Sequence, residues 1–262
     1  YQWAVKPEFE LVLLRSPDGV RVDPEQFAAA VDDRTLFLAT SHVYFTTGHE
    51  HDLGALAEIA RAAGAYSLVD GYQGAGQVEL SLPGTGVDFY TTGPLKWLCG
   101  GPGLAYLYVR DALVERLEPR LTSWFATERQ FDFDPAGFAY RPDARRFELG
   151  TPALPTVHTA LGGQELVDEI GIEAIAARNA ELTGRLVERA EEAGFSLRLP
   201  DPGCRKAIVI VRHEDSAGGV KHLAANGVIV DYRPGHVRIS PHFYNSEEEI
   251  DRCVEVLASF GG

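Results

Sequence analysis

Methionine is absent from the 262 residues, cysteine occurs only three times, and no apolar run approaches the roughly 20 residues that a bilayer-spanning helix needs. Each absence excludes something. Cys99, Cys204 and Cys253 are odd in number and lack both zinc-site spacing and the density of a disulfide framework, so reduced thiols in a cytoplasmic protein without a metal site are expected. Positive charge is also scarce: 24 Lys and Arg stand against 38 Asp and Glu, a net charge of -14, and no basic block exceeds a pair such as Arg145-Arg146. Such a surface repels phosphate backbones and anionic lipid, which argues against nucleic-acid and membrane partners. No charged-then-apolar leader opens the chain, and no repeat or low-complexity tract interrupts it. It starts at Tyr1-Gln2-Trp3 without an initiator, and together with the missing methionine this implies that an N-terminal segment is lost.

What is present is an ordinary globular composition, 45% hydrophobic and 24% charged, long enough for one large α/β domain or a large and a small one. From Leu11 to Val109 short apolar runs alternate with helical stretches, the pattern of βαβ units in a parallel sheet. Leu36 to Thr40 reads as a strand. Asp52 to Ala63 reads as an amphipathic helix, with Leu53, Leu56, Ala57, Ile59 and Ala60 on one face and Gly64 as its stop. Tyr66 to Val69 forms a strand ending at Asp70, Val87 to Tyr90 another, and Gly103 to Val109 a third. Arg110 to Pro155 is irregular and reads as a bridge. A long helix over Thr156 to Ala193, broken near Gly171, leads to a strand, strand, helix, strand, strand, helix unit from Phe195 to Phe260. The expected division is therefore a large domain over 1–155 and, over 156–262, a connecting helix with a small α+β domain.

Two residues at strand ends carry the chemistry. Asp70 opens the turn Asp70-Gly71-Tyr72-Gln73 at the carboxyl end of a parallel strand, where such sheets bind ligands. Alone it reads as a turn or cap aspartate. Lys96 follows the next strand among apolar and glycine residues, in Lys96-Trp97-Leu98-Cys99-Gly100-Gly101-Pro102-Gly103. Partial desolvation there lowers its pKa and frees a neutral amine for imine chemistry. Together they supply what pyridoxal-phosphate chemistry requires, a Schiff-base lysine and a carboxylate that keeps the pyridine nitrogen protonated.

Asp70 to Gln73, Val87-Asp88-Phe89-Tyr90, Lys96-Trp97-Leu98 and Gly101-Pro102-Gly103 occur in the order of the core motifs of class V aminotransferases, cysteine desulfurases and kynureninases, and the chain resembles these fold type I enzymes. The resemblance implies an α/β fold with a mainly parallel sheet in the large domain, pyridoxal 5'-phosphate as cofactor, an α-amino acid substrate and a homodimer. It makes Lys96 the cofactor lysine, Asp70 the pyridinium partner and Gln73 a donor to the ring's phenolic oxygen. Ser41 to Gly48, followed by His51-Asp52-Leu53, is similar to the segment before this core, so His42 reads either as a substrate-side histidine or as a satisfied histidine at a strand end. Leu121 to Phe125 and Arg146 to Pro152 resemble kynureninase-type segments that bring Trp124 and Thr151 to the cofactor phosphate, often from the neighbouring subunit; Trp124 as plain core is the other reading. Arg238, in Val237-Arg238-Ile239-Ser240-Pro241-His242-Phe243-Tyr244-Asn245, takes the place of the substrate-carboxylate arginine, for which a planar guanidinium is suited.

Two departures stand out. Leu95 replaces the His or Tyr that many relatives carry before the lysine, so the phosphate is expected to use other groups, Thr92 among them. Gln73 stands where kynureninases usually have His. The activity implied first is therefore that of a class V aminotransferase-family enzyme working through Lys96. A kynureninase-type C–C hydrolase is the alternative; a cysteine desulfurase or a non-catalytic binding module of the same fold comes behind both.

Overall fold

In the computed structural model, which describes residues 3–260, the chain is built on two sheets. The first holds β1 (Phe37–Ser41), β2 (Tyr66–Asp70), β3 (Phe89–Thr92) and β4 (Tyr106–Val109) in sequential order. β1, β2 and β3 are parallel, whereas β4 returns antiparallel to β3. Connections explain the difference. Helix α2 (Leu53–Ala62) crosses between β1 and β2, and a long turn with the short helix α3 (Leu82–Thr85) leads into β3, but a loop without a helix joins β3 to β4. A strand reached without a crossover runs back along its neighbour.

α2 forms where expected. The Asp52 side chain caps it by accepting from Ala55 N at 3.0 Å, and Gly64, at φ +76°, follows its end. Its Leu53, Leu56, Ala57 and Ala60 are buried with Leu38, Val69 and Tyr90 of the sheet, with Val87 just before β3 and with Phe27 of α1 (Pro24–Ala30). Burial of each leucine side chain contributes about 1.5–3 kcal/mol, so this face fixes the helix over the sheet.

Besides a one-residue shift of β1 from the expected Leu36 to Phe37, two strand starts lie further along than the apolar pattern predicts. β3 begins at Phe89 rather than Val87, because the Asp88 carboxylate accepts from Ser67 N at 2.9 Å and from Ser67 Oγ at 3.2 Å, and the β2–β3 ladder opens at Leu68 opposite Phe89. β4 begins at Tyr106 rather than Gly103, whose φ of +97° is incompatible with a strand. Neither shift moves the ends that matter: Asp70 closes β2, and the Lys96 loop leaves the adjacent end of β3.

After α4 (Asp111–Val114), residues 115–153 form turns and short 3-10 segments. Helices α5 (Leu154–Ile170) and α6 (Ile172–Glu192) then run in succession, broken at Gly171 with φ +87° as the sequence implies. The second sheet has the order β5 (Leu197–Arg198), β6 (Val209–Arg212), β8 (His236–Ile239), β7 (Asp231–Arg233) and is antiparallel throughout. α7 (Ser216–Ala225) and α8 (Glu247–Ala258) complete this α+β unit, with Leu182, Leu186, Val209, Leu223, Val237 and Leu257 in its core. A separate cluster of Val43, Trp97, Ala207, Ile208 and Ile210 packs the two sheets' surroundings together beside the Lys96 loop.

Candidate active site

Parallel pairing places Asp70 level with Ser41 on one side and Thr91 on the other, at the carboxyl edge of the first sheet. One carboxylate oxygen accepts from Tyr72 N at 2.9 Å, which tightens the turn that carries Gln73. No cationic group lies within 4.0 Å of Asp70 among the described residues, so its charge faces outward unpaired.

Lys96 sits on a loop closed on itself: Cys99 N donates to Lys96 O at 3.1 Å, and Gly100 N to Pro94 O at 2.7 Å. Its ammonium lies 5.4 Å from the centroid of the Tyr72 ring. Partial desolvation pulls the Lys96 pKa below the usual lysine range; the charge of Arg238 adds to the fall, and Asp70 opposes it. Lys96 thus feels the charges of both the strand-end aspartate and the arginine of the second sheet.

Arg238 reaches this place from β8 and is half-buried. Its Nε donates to the carbonyl of Phe45 at 2.7 Å, which fixes the guanidinium plane, and no carboxylate approaches it within 4.0 Å among the described residues. Burial lowers its pKa and neighbouring Arg233 lowers it further, against Asp231. A guanidinium oriented and left without a counter-ion is prepared for an anion with two oxygens.

Gln73 is buried, and its Oε1 accepts from Trp97 Nε1 at 2.9 Å. Thr92 is also buried, but its hydroxyl donates to Gly71 O at 3.3 Å. His42 is 2% exposed and engaged at both ring nitrogens: Nδ1 lies 3.0 Å from Tyr90 Oη, and Nε2 lies 3.5 Å from Glu50 Oε1. Glu50 in turn meets Lys206 Nζ at 2.8 Å. Burial would raise the Glu50 pKa, but hydrogen bonds from His42 and Lys206 and the charge of Lys206 outweigh it and hold the carboxyl below its ordinary value. This chain joins the second sheet's approach to the Asp70 turn, since Tyr90 Oη also faces Gly71 O at 3.5 Å.

Trp124 and Thr151 are not brought to Lys96. Trp124 stacks on Phe133, with centroids 6.0 Å apart, and lines a surface cavity of about 440 Å³ with Thr122, Arg129 and Phe138. Thr151 is exposed in the turn before α5. Arg146, in the same motif, is structural: its guanidinium donates to the carbonyls of Arg141, Val114 and Leu117 and anchors the bridge from within. The sequence motifs contain two further residues of this region without assigning them, Trp97 and His242, whose rings stack 4.7 Å apart at 18°. Their types alone give no signal of that contact.

Comparison with known proteins gives this arrangement its class. A cysteine desulfurase from Thermococcus onnurineus NA1 superposes with a TM-score of 0.85 at 23% identity, over 95% of this chain and 65% of its own. The architecture is that of the fold type I pyridoxal-phosphate enzymes. Residues 2–253 match the family model of aminotransferase class-V, and the chain belongs to that family. A Bacillus subtilis protein described as an uncharacterized aminotransferase is 33% identical over 257 residues, 98% of this chain and 68% of its own length. Isopenicillin N epimerase of Streptomyces clavuligerus is 33% identical over 275 residues, covering 97% and 68%. Kynureninase of Geobacillus thermodenitrificans is 29% identical over 261 residues, covering 96% and 60%. The chain therefore spans 60% to 68% of the length of these relatives. Pyridoxal 5'-phosphate is the cofactor. The residues fit it: a lysine of lowered pKa, an unpaired strand-end carboxylate and an amide whose oxygen is already engaged.

Proposed function

We propose that the protein containing this chain is a pyridoxal-phosphate enzyme of the aminotransferase type that acts on an α-amino acid. The observation that carries this reading is that the charges of Asp70 and Arg238 both reach Lys96, while none of the three forms an ion pair within 4.0 Å among the described residues. Bound cofactor supplies an electron sink for negative charge at the substrate's Cα. Lys96 Nζ, made more readily neutral by desolvation and by Arg238, would hold the cofactor and, once displaced by the substrate's amine, would take the α-proton. The free oxygen of Asp70 holds the proton on the pyridine nitrogen. Gln73 donates its amide hydrogen to the phenolic oxygen, and Arg238 pairs its terminal nitrogens with the substrate's α-carboxylate. His42, buried and bonded internally, supports the reading of a satisfied histidine that steadies the turn through Tyr90.

Thr92 would help hold the cofactor phosphate, and Trp124 and Thr151 would serve a second copy's site in a homodimer; the exposure of Leu121, Phe131 and Phe133 around Trp124 favours burial against such a partner. The division at residue 155 and a cytoplasmic location belong to the same proposal. No helix among the described residues is long and apolar enough to cross a membrane. A kynureninase-type hydrolase is the second reading, favoured by the Trp124 and Thr151 segments and by kynureninase relatives that align over 96% of the chain. Desulfurase chemistry requires an activated thiolate. Burial instead raises the Cys99 thiol and pushes Cys253 up to about 11.

The test uses full-length protein loaded with pyridoxal phosphate, reduced with borohydride and digested. The cofactor mass is expected on the peptide containing Lys96 and is expected to vanish in Lys96→Ala. Product analysis with candidate amino acids separates a keto acid, for transamination, from alanine, for side-chain cleavage. A label on another lysine would overturn the assignment.

A further inference from the structure

Trp97 is 4% exposed and is gripped from two directions. On one side its main chain presses against Gly76, where a Cβ would lie 2.6 Å from Trp97 C and 2.7 Å from Trp97 O; Gly76 also has φ +93°, so only glycine fits there. On the other, the indole is covered by His242, and His242 by Tyr244, with centroids 4.3 Å apart at 15°. Burial drops the His242 pKa to about 4, with a smaller opposing effect from the Lys96 main chain, and neither ring nitrogen makes a hydrogen bond of normal geometry. The imidazole is therefore a neutral plate at neutral pH, and its role here is stacking.

The indole Nε1–H can only donate. The Gln73 atom facing it at 2.9 Å must therefore be the carbonyl oxygen, and the amide NH2 must point the other way. Among the described residues no group accepts a hydrogen bond from that NH2. Gln73 itself is held by its backbone carbonyl, which accepts from Gln77 Nε2, while Gln77 Oε1 accepts from Ala207 N at 3.1 Å. Without the indole, either end of the amide fits toward the cofactor, and the oxygen end repels a phenolic oxygen.

We propose that Trp97 is a positioning residue: clamped by the His242–Tyr244 stack, it fixes the Gln73 amide so that its NH2 is presented to the phenolic oxygen of the bound cofactor. The inference rests on the cofactor reading above. A donor to that oxygen stabilises its anionic form, so losing the donor raises the pH midpoint at which lysine-bound pyridoxal phosphate changes colour.

The experiment titrates the visible band of full-length, pyridoxal-phosphate-loaded protein. Trp97→Phe keeps a ring for the stack and loses the N–H; its midpoint is expected to rise by about half a unit to one unit, a three- to tenfold gain in proton affinity. Gln73→Glu removes the donor outright and should raise the midpoint at least as far. The double variant should shift no further than Gln73→Glu alone, because Trp97 acts only through Gln73. His242→Phe, which preserves the stack, should leave the midpoint in place, whereas His242→Ala should raise it. A merely structural role would lower the melting temperature of these variants and leave the midpoints alone. Unmoved midpoints in both Trp97→Phe and Gln73→Glu, or additive shifts in the double variant, would overturn the inference while the cofactor reading stands. A loaded wild-type protein with no visible band would overturn both.

Discussion

The edge of the first sheet and the seam between α6 and α8 hold charged groups in opposite ways. At the seam, Arg185 donates to both carboxylate oxygens of Asp251, at 2.8 and 2.5 Å, and reaches Glu247 at 3.2 Å; Arg189 meets Glu192 and Asp251, and Arg178 meets Glu181 and Glu247. At the sheet edge, Asp70 and Arg238 lie near enough to act on the charge of Lys96, yet none of the three has an ion-pair partner within 4.0 Å among the described residues. Paired charges on a helix seam are satisfied by the fold itself. Charges collected without partners cost folding energy, and they persist where a ligand completes them.

That contrast is broken most severely by Asp70→Asn. The amide keeps the turn's hydrogen bond to Tyr72 N but cannot hold the pyridine proton, so kcat should fall at least about a hundredfold while the melting temperature stays near that of wild type. Steady-state kinetics beside thermal melting checks it. Near-normal turnover would mean that another acid holds the nitrogen. Next comes Arg238→Lys, which keeps the charge and loses the planar pair of donors; kcat/KM should drop by about 2–4 kcal/mol with cofactor occupancy unchanged. Collapse of occupancy instead would reassign Arg238 to the phosphate.

Much of this edge is legible in the sequence because it depends on local order. Asp70 ends an apolar strand, Lys96 follows the next one, and a parallel sheet carries both ends to the same edge. The break between α5 and α6 is legible too, since Gly171 interrupts a helical pattern. Two strand starts were misplaced for a local reason the apolar pattern cannot carry: the Asp88 side chain takes the bonds of a backbone partner, and Gly103 turns the chain. The Trp97–His242–Tyr244 stack and the Lys206–Glu50–His42–Tyr90 chain are invisible because each joins residues distant in sequence, and their partners are chosen by packing between the two sheets.

A third group sharpens the comparison from within the core. His51 is 4% exposed, edge-on to His49 and Tyr44, and burial brings its pKa down to about 4, with smaller effects of the same sign from His49 and His42. Between pH 6.5 and about 4 the unfolded chain binds a proton at His51 and the folded chain does not, so folding is favoured above pH 6.5 and loses stability as pH falls through that window. The loss from this residue amounts to about 2–3 kcal/mol by pH 4. Urea unfolding at pH 7 and pH 4 should show that much less pH dependence in His51→Gln than in wild type, and equal dependence in both would mean that His51 is solvated when folded.

The smallest effect belongs to the seam. Arg185→Met removes the guanidinium that bridges Asp251 and Glu247 but leaves an aliphatic chain to cover the α6–α8 contact. Arg185 is partly exposed, and exposed ion pairs trade a modest attraction against side-chain entropy and screening. Asp251 also keeps Arg189 at 3.3 Å, so it is not stranded by the change. The melting temperature should therefore fall by no more than about 2–4 °C, less at 1 M salt, with turnover untouched. A larger fall that salt does not relieve would show that this network is a structural strut; a loss of turnover at wild-type stability would show that the seam communicates with the sheet edge, and the separation between paired structural charges and unpaired functional ones would fail.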